Sequence, residues 1–270
     1  MRRIVAFVLA SLLAVACGPT RAERAEAVRA ARAAIGTPAA ELGTLAEAAR
    51  AAIVNVRLNG PQDPNVWADR VEAAAEGPVA ALAETLAHAN LVDLVGTFEE
   101  VAAAQEHWQR ARAAAADLLV SADAQLDELR RVLSWDVRLR ELTDAWQEPG
   151  SRQAQLDRFE EIAEQADLLG ATIAAAAPTT CPQQRERRLA AARFVADSSR
   201  ELREHIAEFR GTTFDERRIE LADDPTGLGR PLNALDAEDE PCWLDAAGID
   251  TGPLLDALGA LQSSLNPADL

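Results

Sequence analysis

The sequence predicts an all-α protein, on three observations. Apolar residues recur at three- and four-residue spacing along most of the chain, Gly and Pro punctuate the stretches so marked, and no run alternates apolar with polar as a half-buried strand would. The expected architecture is an elongated antiparallel helical bundle over residues 17–211, coiled-coil-like along 97–209, closed by an irregular, acidic, loop-rich C-terminal cap over 212–270.

Thr20 and Glu23 form a capping-box pattern and Gly36 reads as a stop, so the first helix is expected over 20–35. Thr37-Pro38 then opens a second, with Leu42, Leu45, Ala49, Ile53 and Val56 as its stripe, ending at Asn59-Gly60-Pro61. A third starts at Asp63-Pro64, breaks at Gly77-Pro78 and resumes from Pro78 to about Val95. Thr97 and Glu100 repeat the capping-box pattern, and no Gly or Pro follows until Pro149. Val101, Trp108, Ala115, Leu119, Ala122, Leu126, Leu129 and Leu133 hold a near-heptad seam, which Trp135, Leu139, Leu142 and Trp146 continue out of phase. An unbroken helix there would run about 75 Å, with a bend expected at Ser121–Asp123. Ser151 caps a helix carrying Leu156, Phe159, Ile162, Ala166, Leu169 and Ile173, stopped by Pro178. Pro182 begins its antiparallel partner, with Leu189, Ala192, Val195, Ser199, Leu202, Ile206 and Phe209 in line before Gly211. Beyond it lie a short helix near Phe214–Leu221, the Asp223–Pro231 loop, and a last helix from Pro253.

The chain carries a net charge of −17, and Lys is absent. With no basic stripe to override that total, nucleic acid is excluded as a partner by repulsion between carboxylates and phosphates. Much of the hydrophobic 49% is Ala and only 4% of residues are aromatic, so the core should be thin and the helices close. The positive charge is uneven: Arg21, Arg24, Arg29 and Arg32 outweigh Glu23 and Glu26, so the first helix is basic while the rest of the chain is strongly acidic.

The leader over residues 1–16 has the parts of an export signal: Arg2-Arg3, an apolar stretch from Ile4 to Val15 broken only by Ser11, then Ala14-Val15-Ala16-Cys17. A dozen apolar residues span roughly 18 Å as a helix, short of the roughly 30 Å hydrocarbon core. The final four residues resemble the lipobox of bacterial lipoproteins, with Ala14 where Leu is commoner. The resemblance implies cleavage before Cys17, diacylglycerol on its thiol and acylation of the new amine. Several acyl chains anchor where one binds only marginally. The protein would sit in the bacterial cell envelope, lipid-anchored and facing the periplasm or the cell exterior, with the membrane and an envelope protein as its partners.

Cys181 and Cys242 then remain, in a compartment that favours oxidation, and read as a disulfide closing a loop of about 60 residues worth roughly 4 kcal/mol by chain entropy. Glu201, His205 and Glu208 stand at i, i+4 and i+7, a spacing that presents two carboxylates and an imidazole to one side of a helix. His205 to Glu208 also resembles the H-x-x-E element of imelysin-like envelope proteins, although Arg203 stands where that family has Gly. The same three residues equally suit a solvated ion-pair row. Asp236, Glu238 and Glu240 alternate as in calcium loops, but Pro241 replaces the Gly such a turn needs. Gly227-Leu228-Gly229 lacks the third Gly and the Lys of nucleotide loops, and no nucleophile elbow occurs. No cofactor is implied. The function expected from these features is a non-enzymatic helical scaffold or interaction module of the envelope, with Trp135 and Trp146 as candidates for a partner face. The alternative is a ligand- or metal-binding bundle whose site lies beneath the cap, near His205, the acidic loop and Trp243.

Overall fold

The computed structural model describes residues 20–58, 64–94, 96, 98–145, 151–177, 182–211 and 249–266, and all regular structure among them is helical. In chain order the elements are α1 (Arg21–Leu58), α2 (Pro64–Ala74), a π turn (Ala75–Val79), α3 (Ala80–Ala89), α4 (Glu99–Ala145), α5 (Arg152–Ala175), α6 (Pro182–Gly211) and α7 (Gly252–Ser264). The protein is all-α. Cys17, Cys181, Cys242, Trp146, Trp243 and the Asp236–Glu240 run lie outside the described residues.

The capping box at the start of α1 forms as the spacing predicts. Glu23 N donates to Thr20 Oγ1 at 3.3 Å and Thr20 N donates to the Glu23 carboxylate at 2.7 Å. The second of these bonds holds the Glu23 carboxyl below its usual range. The expected break at Gly36 does not occur, because α1 runs for 38 residues through Gly36 and Pro38. The reason is the phase of its buried side. Val28, Ala31, Ile35, Ala39, Leu42 and Ala46, then Ala49, Ile53 and Val56, follow one another at spacings of three and four. A stop at residue 36 would throw the two stripes out of register. Keeping them aligned outweighs the roughly 1 kcal/mol and 3 kcal/mol by which Gly and Pro disfavour a helix interior. Pro78 likewise starts no new helix: it lies within the π turn, where a widened ring absorbs its missing N–H.

The chain forms two compact units. The first gathers residues up to Ala48, Pro78–Leu119 and Thr251 onward; the second gathers Ala49–Gly77 and Val120–Asp250. In the first, α4 presents Val101, Ala104, Trp108, Ala111, Ala115 and Leu118 at strict three-four spacing, all buried. Leu118, not the expected Leu119, keeps that phase. Trp108 is the one large residue in a row of small ones, and its indole N–H donates to the Val92 carbonyl at 2.9 Å. Arg112, over the Trp108 ring at 5.8 Å, donates to the carbonyls of Ala89 and Asn90 at 3.4 and 3.2 Å. These bonds satisfy carbonyls at the end of α3, which is why it stops at Ala89 and not near Val95. The last helix forms as expected from Pro253, and its Leu258 approaches α1 at Gly43, where a Cβ would come within 3.3 Å of Leu258 Cδ1. Thr251 donates to the Glu47 carboxylate ahead of that contact.

In the second unit, Trp67 of α2 donates its indole N–H to the Val56 carbonyl of α1 at 3.0 Å. Arg130 of α4 grips the Glu72 carboxylate of α2 at 3.0 and 3.1 Å, which holds the Glu72 carboxyl below its usual range. α4 continues through Ser121–Asp123 as uninterrupted helix. α5 and α6 form the expected antiparallel hairpin: partners step backward along α5 as they advance along α6, from Arg188 with Ala176 to Arg210 with Glu160. Ser151 caps α5 by accepting from Ala154 N at 3.3 Å. All six stripe positions predicted for α5 are buried, and Trp135, Leu139 and Leu142 of α4 join their cluster with Ala192, Val195, Leu202 and Ile206 of α6. Gly170 permits the hairpin's close approach, with a virtual Cβ 3.3 Å from the Ala192 carbonyl oxygen.

The unbroken course of α1 makes opposite predictions from a break at residue 36. A Cβ on Gly36 meets nothing within 4 Å, so Gly36→Ala should stabilise by about 0.5–1 kcal/mol. Pro38→Ala should add about 1–2 kcal/mol, the restored hydrogen bond exceeding the lost restriction of the unfolded chain. Urea denaturation measures both. A helix that ended at Gly36 would instead be destabilised by the first change.

Candidate functional site

The polar groups with the most organised surroundings lie on α6. Arg188 falls in phase with the buried stripe, one position before the expected Leu189, and only 4% of its side chain is exposed. Its Nη1 donates to the Ala176 carbonyl at the end of α5 at 2.7 Å. It forms an ion pair with Glu128 of α4, and its guanidinium lies over the Trp135 ring at 5.6 Å. One cation thus joins three helices, stacking on an aromatic face while its donors meet a carboxylate and a helix-end carbonyl. A second buried charge, Asp136, is gripped by Arg140 one turn later at 2.8 and 3.3 Å.

Further along the hairpin an open groove of about 570 Å³ is lined by Glu160, Glu164, Arg203, Ile206, Ala207 and Arg210. Both of its arginines are paired, Arg210 with Glu160 at 2.6 Å and Arg203 with Asp167 at 2.6 Å, while Glu164 has no ion pair among the described residues. Arg203 also donates to Ser199 Oγ at 2.9 Å, while the Ser199 hydroxyl donates to the Ala163 carbonyl at 2.9 Å. The hydrogen bond from Arg203 holds the Asp167 carboxyl below its usual range. Asp167 is therefore ionised at neutral pH and suited to holding a cation in place, not to donating a proton.

Glu201, His205 and Glu208 are all exposed on α6. They lie on a different flank from the groove-lining Arg203 and Arg210, as the 100° step of a helix requires. Among the described residues no group of three His, Cys, Asp or Glu side chains is placed to hold a metal ion. His88 and Glu84 are exposed on α3; His107 on α4 is half-buried, and its Nδ1 has no hydrogen-bond partner among the described residues. Trp135 is buried against Arg188 and offers no exposed partner face. The exposed large apolar residues of α4 are Val120 and Val137.

Arg188, Glu128 and Asp136 were not singled out by the sequence reading. The available signal was a charged residue in phase with an apolar stripe: Arg188 stands four residues before Ala192 and seven before Val195. The chain matches no protein-family model, no curated protein and no solved structure.

Two outcomes follow. Arg188→Ala leaves the Ala176 carbonyl without its donor and Glu128 with Arg131 as its remaining cation, and should cost about 1–3 kcal/mol in urea denaturation, whereas Arg188→Met with Glu128→Gln should recover part of the loss. Asp167 is depressed below its ordinary 3.8 in the folded state, so its contribution to stability is present above the unfolded pKa and is lost as pH falls through the lower folded value. Between about pH 5 and pH 2, thermal melts should therefore fall more steeply for the wild type than for Arg203→Met, by a modest margin because the pair is half exposed to solvent.

Proposed function

We propose that this chain is a bacterial envelope lipoprotein, processed and lipidated at Cys17, whose helical region serves as a non-enzymatic scaffold or interaction module at the membrane surface. The observation that carries the reading is the leader itself: Arg2-Arg3, the apolar stretch to Val15, and Ala14-Val15-Ala16 directly before Cys17. The start of α1 agrees with it, since the capping box at Thr20 begins ordered helix three residues past the anchor point. No helix among the described residues is long and apolar enough to cross a membrane, so attachment rests on the lipid. The scaffold half of the reading is supported by the use of charge to join helices, Arg203 holding Asp167 and Arg210 holding Glu160 across the α5–α6 hairpin. A bridge between Cys181 and Cys242 belongs to the same reading, joining the α5–α6 connection to the segment before α7.

The test is Cys17→Ser in the organism's own membranes or a lipoprotein-processing host. The wild type should fractionate with membranes at the mature mass plus acyl chains. The variant should be released or should accumulate unprocessed. A variant that remains membrane-bound at the mature size would defeat the reading.

A further inference from the structure

Arginines elsewhere in this chain are mostly spent on carboxylates: Arg130, Arg131, Arg138, Arg188, Arg203 and Arg210 each hold one. Arg70, Arg185 and Arg193 are scattered exceptions among the described residues, whereas the first turns of α1 gather several such arginines together. Arg21, Arg29 and Arg32 are exposed and form no ion pair with the described residues, and Arg29 turns its Nε back to the Ala25 carbonyl at 3.2 Å. Arg24 is the exception, with Glu100 at 3.9 Å.

At 3.6 residues per turn, positions 21, 29 and 32 fall within an arc of about 80°. Within that arc the intervening positions Ala25 and Gly36 carry no charge, and the nearest acid on that flank, Glu26, lies about 60° beyond Arg29. Glu23 is directed elsewhere and is tied to Thr20. Three guanidiniums in one arc, without an ion pair to any described residue, are notable in a chain of net −17, where carboxylates are abundant. Beside them runs a groove of about 290 Å³ between α1 and α7, lined by Arg32, Ile35, Ala39, Leu261, Gln262 and Leu265. A cation next to an apolar-lined groove suits an amphiphile with an anionic head, and a purely polar polyanion would have no use for the apolar part.

We infer that this side of α1 binds anionic phospholipid, with Arg21, Arg29 and Arg32 on the phosphates, and holds the start of the helix against the bilayer. Its placement there rests on the lipoprotein reading: Arg21 is the fourth residue after Cys17, so the two lie within roughly 14 Å even in fully extended chain. Lipid anchoring and a basic surface then act as two signals, the second oriented by charge while the acidic remainder is repelled from the same surface.

The test separates the two ideas by supplying the tether artificially. The chain from Gly18, which retains every described residue, carries an N-terminal histidine tag and is held on phosphatidylcholine vesicles containing a nickel-chelating lipid. The readout is the apparent Kd with and without phosphatidylglycerol replacing part of the phosphatidylcholine. Phosphatidylglycerol should tighten binding by up to roughly fivefold for each arginine engaged, and high salt should abolish the gain. R21Q/R29Q/R32Q should lose the gain while keeping its helical circular dichroism and melting temperature. R70Q/R185Q/R193Q, an equal charge change at exposed positions elsewhere, should keep it. Equal or weaker binding to anionic vesicles, a gain that survives in the α1 variant, or an equal loss in the control variant would overturn the inference. None of these outcomes depends on Cys17, so failure here and failure of the lipoprotein reading are distinguishable.

Discussion

A guanidinium stripped of water is costly, and the surroundings of Arg188 have to offset that cost in several ways at once. Glu128 supplies the countercharge, the Ala176 carbonyl takes a donor, and the Trp135 ring covers one planar face. Glu128 and Trp135 both belong to α4 and Ala176 ends α5, so satisfying this one side chain fixes where α4, the end of α5 and the start of α6 stand relative to one another. Apolar packing alone would specify less. The hairpin's stripes are rich in alanine, and alanine neighbours tolerate sliding more readily than interlocked large side chains do. A directional group that tolerates one geometry supplies the register that small residues leave loose. Ser199 to the Ala163 carbonyl and Arg203 to Asp167 repeat the device further along the same hairpin.

The first unit solves a related problem differently. Its α4 stripe contains Ala104, Ala111 and Ala115 around Trp108, so most of the large-residue burial at its centre falls to one indole. That indole is anchored through its N–H to Val92, and Arg112 covers its ring while closing the end of α3. Gln105 takes the Leu94 N–H at 2.7 Å in the same connection. The described part of the α3–α4 loop is therefore held by side chains of the helix that follows it, which give several of its backbone groups partners on a thin core.

What was legible in the sequence was the phase of each stripe. Leu156 to Ile173 on α5 and most of the α4 seam, Leu119 and Leu133 apart, were readable because three-four spacing reports which side is buried, whatever it packs against. Punctuation was less reliable. Gly36, Pro38 and Pro78 carry local penalties of a few kcal/mol at most, and a stripe that stays in phase across them decides the outcome; the apolar positions 31, 35, 39 and 42 already carried that information. The point where α3 ends was not readable, because Arg112 lies far along the chain from the carbonyls it satisfies. Arg188 was passed over for Leu189 on hydrophobicity alone, since burial of a charge is decided by partners such as Glu128 that spacing does not reveal. Glu201, His205 and Glu208 share a side of α6 as their spacing required, but sharing a side brings three residues to solvent as readily as to a ligand.

The absence of Lys bears on how the chemistry of the surface should be read. Every fixed cation here is a planar fork able to grip both oxygens of a carboxylate, as Arg130 does with Glu72 and Arg140 with Asp136. Carboxylates held this way are oriented and useful for joining helices. A chain built so spends its titratable groups on architecture, which is why motifs of acids and histidines on its helices are weak guides to reactivity. The informative charges are then the ones left over. In a strongly acidic chain carboxylates are close to hand over most of the surface, so exposed guanidiniums gathered in one arc of a helix, without an ion pair to any described residue, stand out. Arg21, Arg29 and Arg32 meet that description, and they stand in the part of the sequence closest to Cys17.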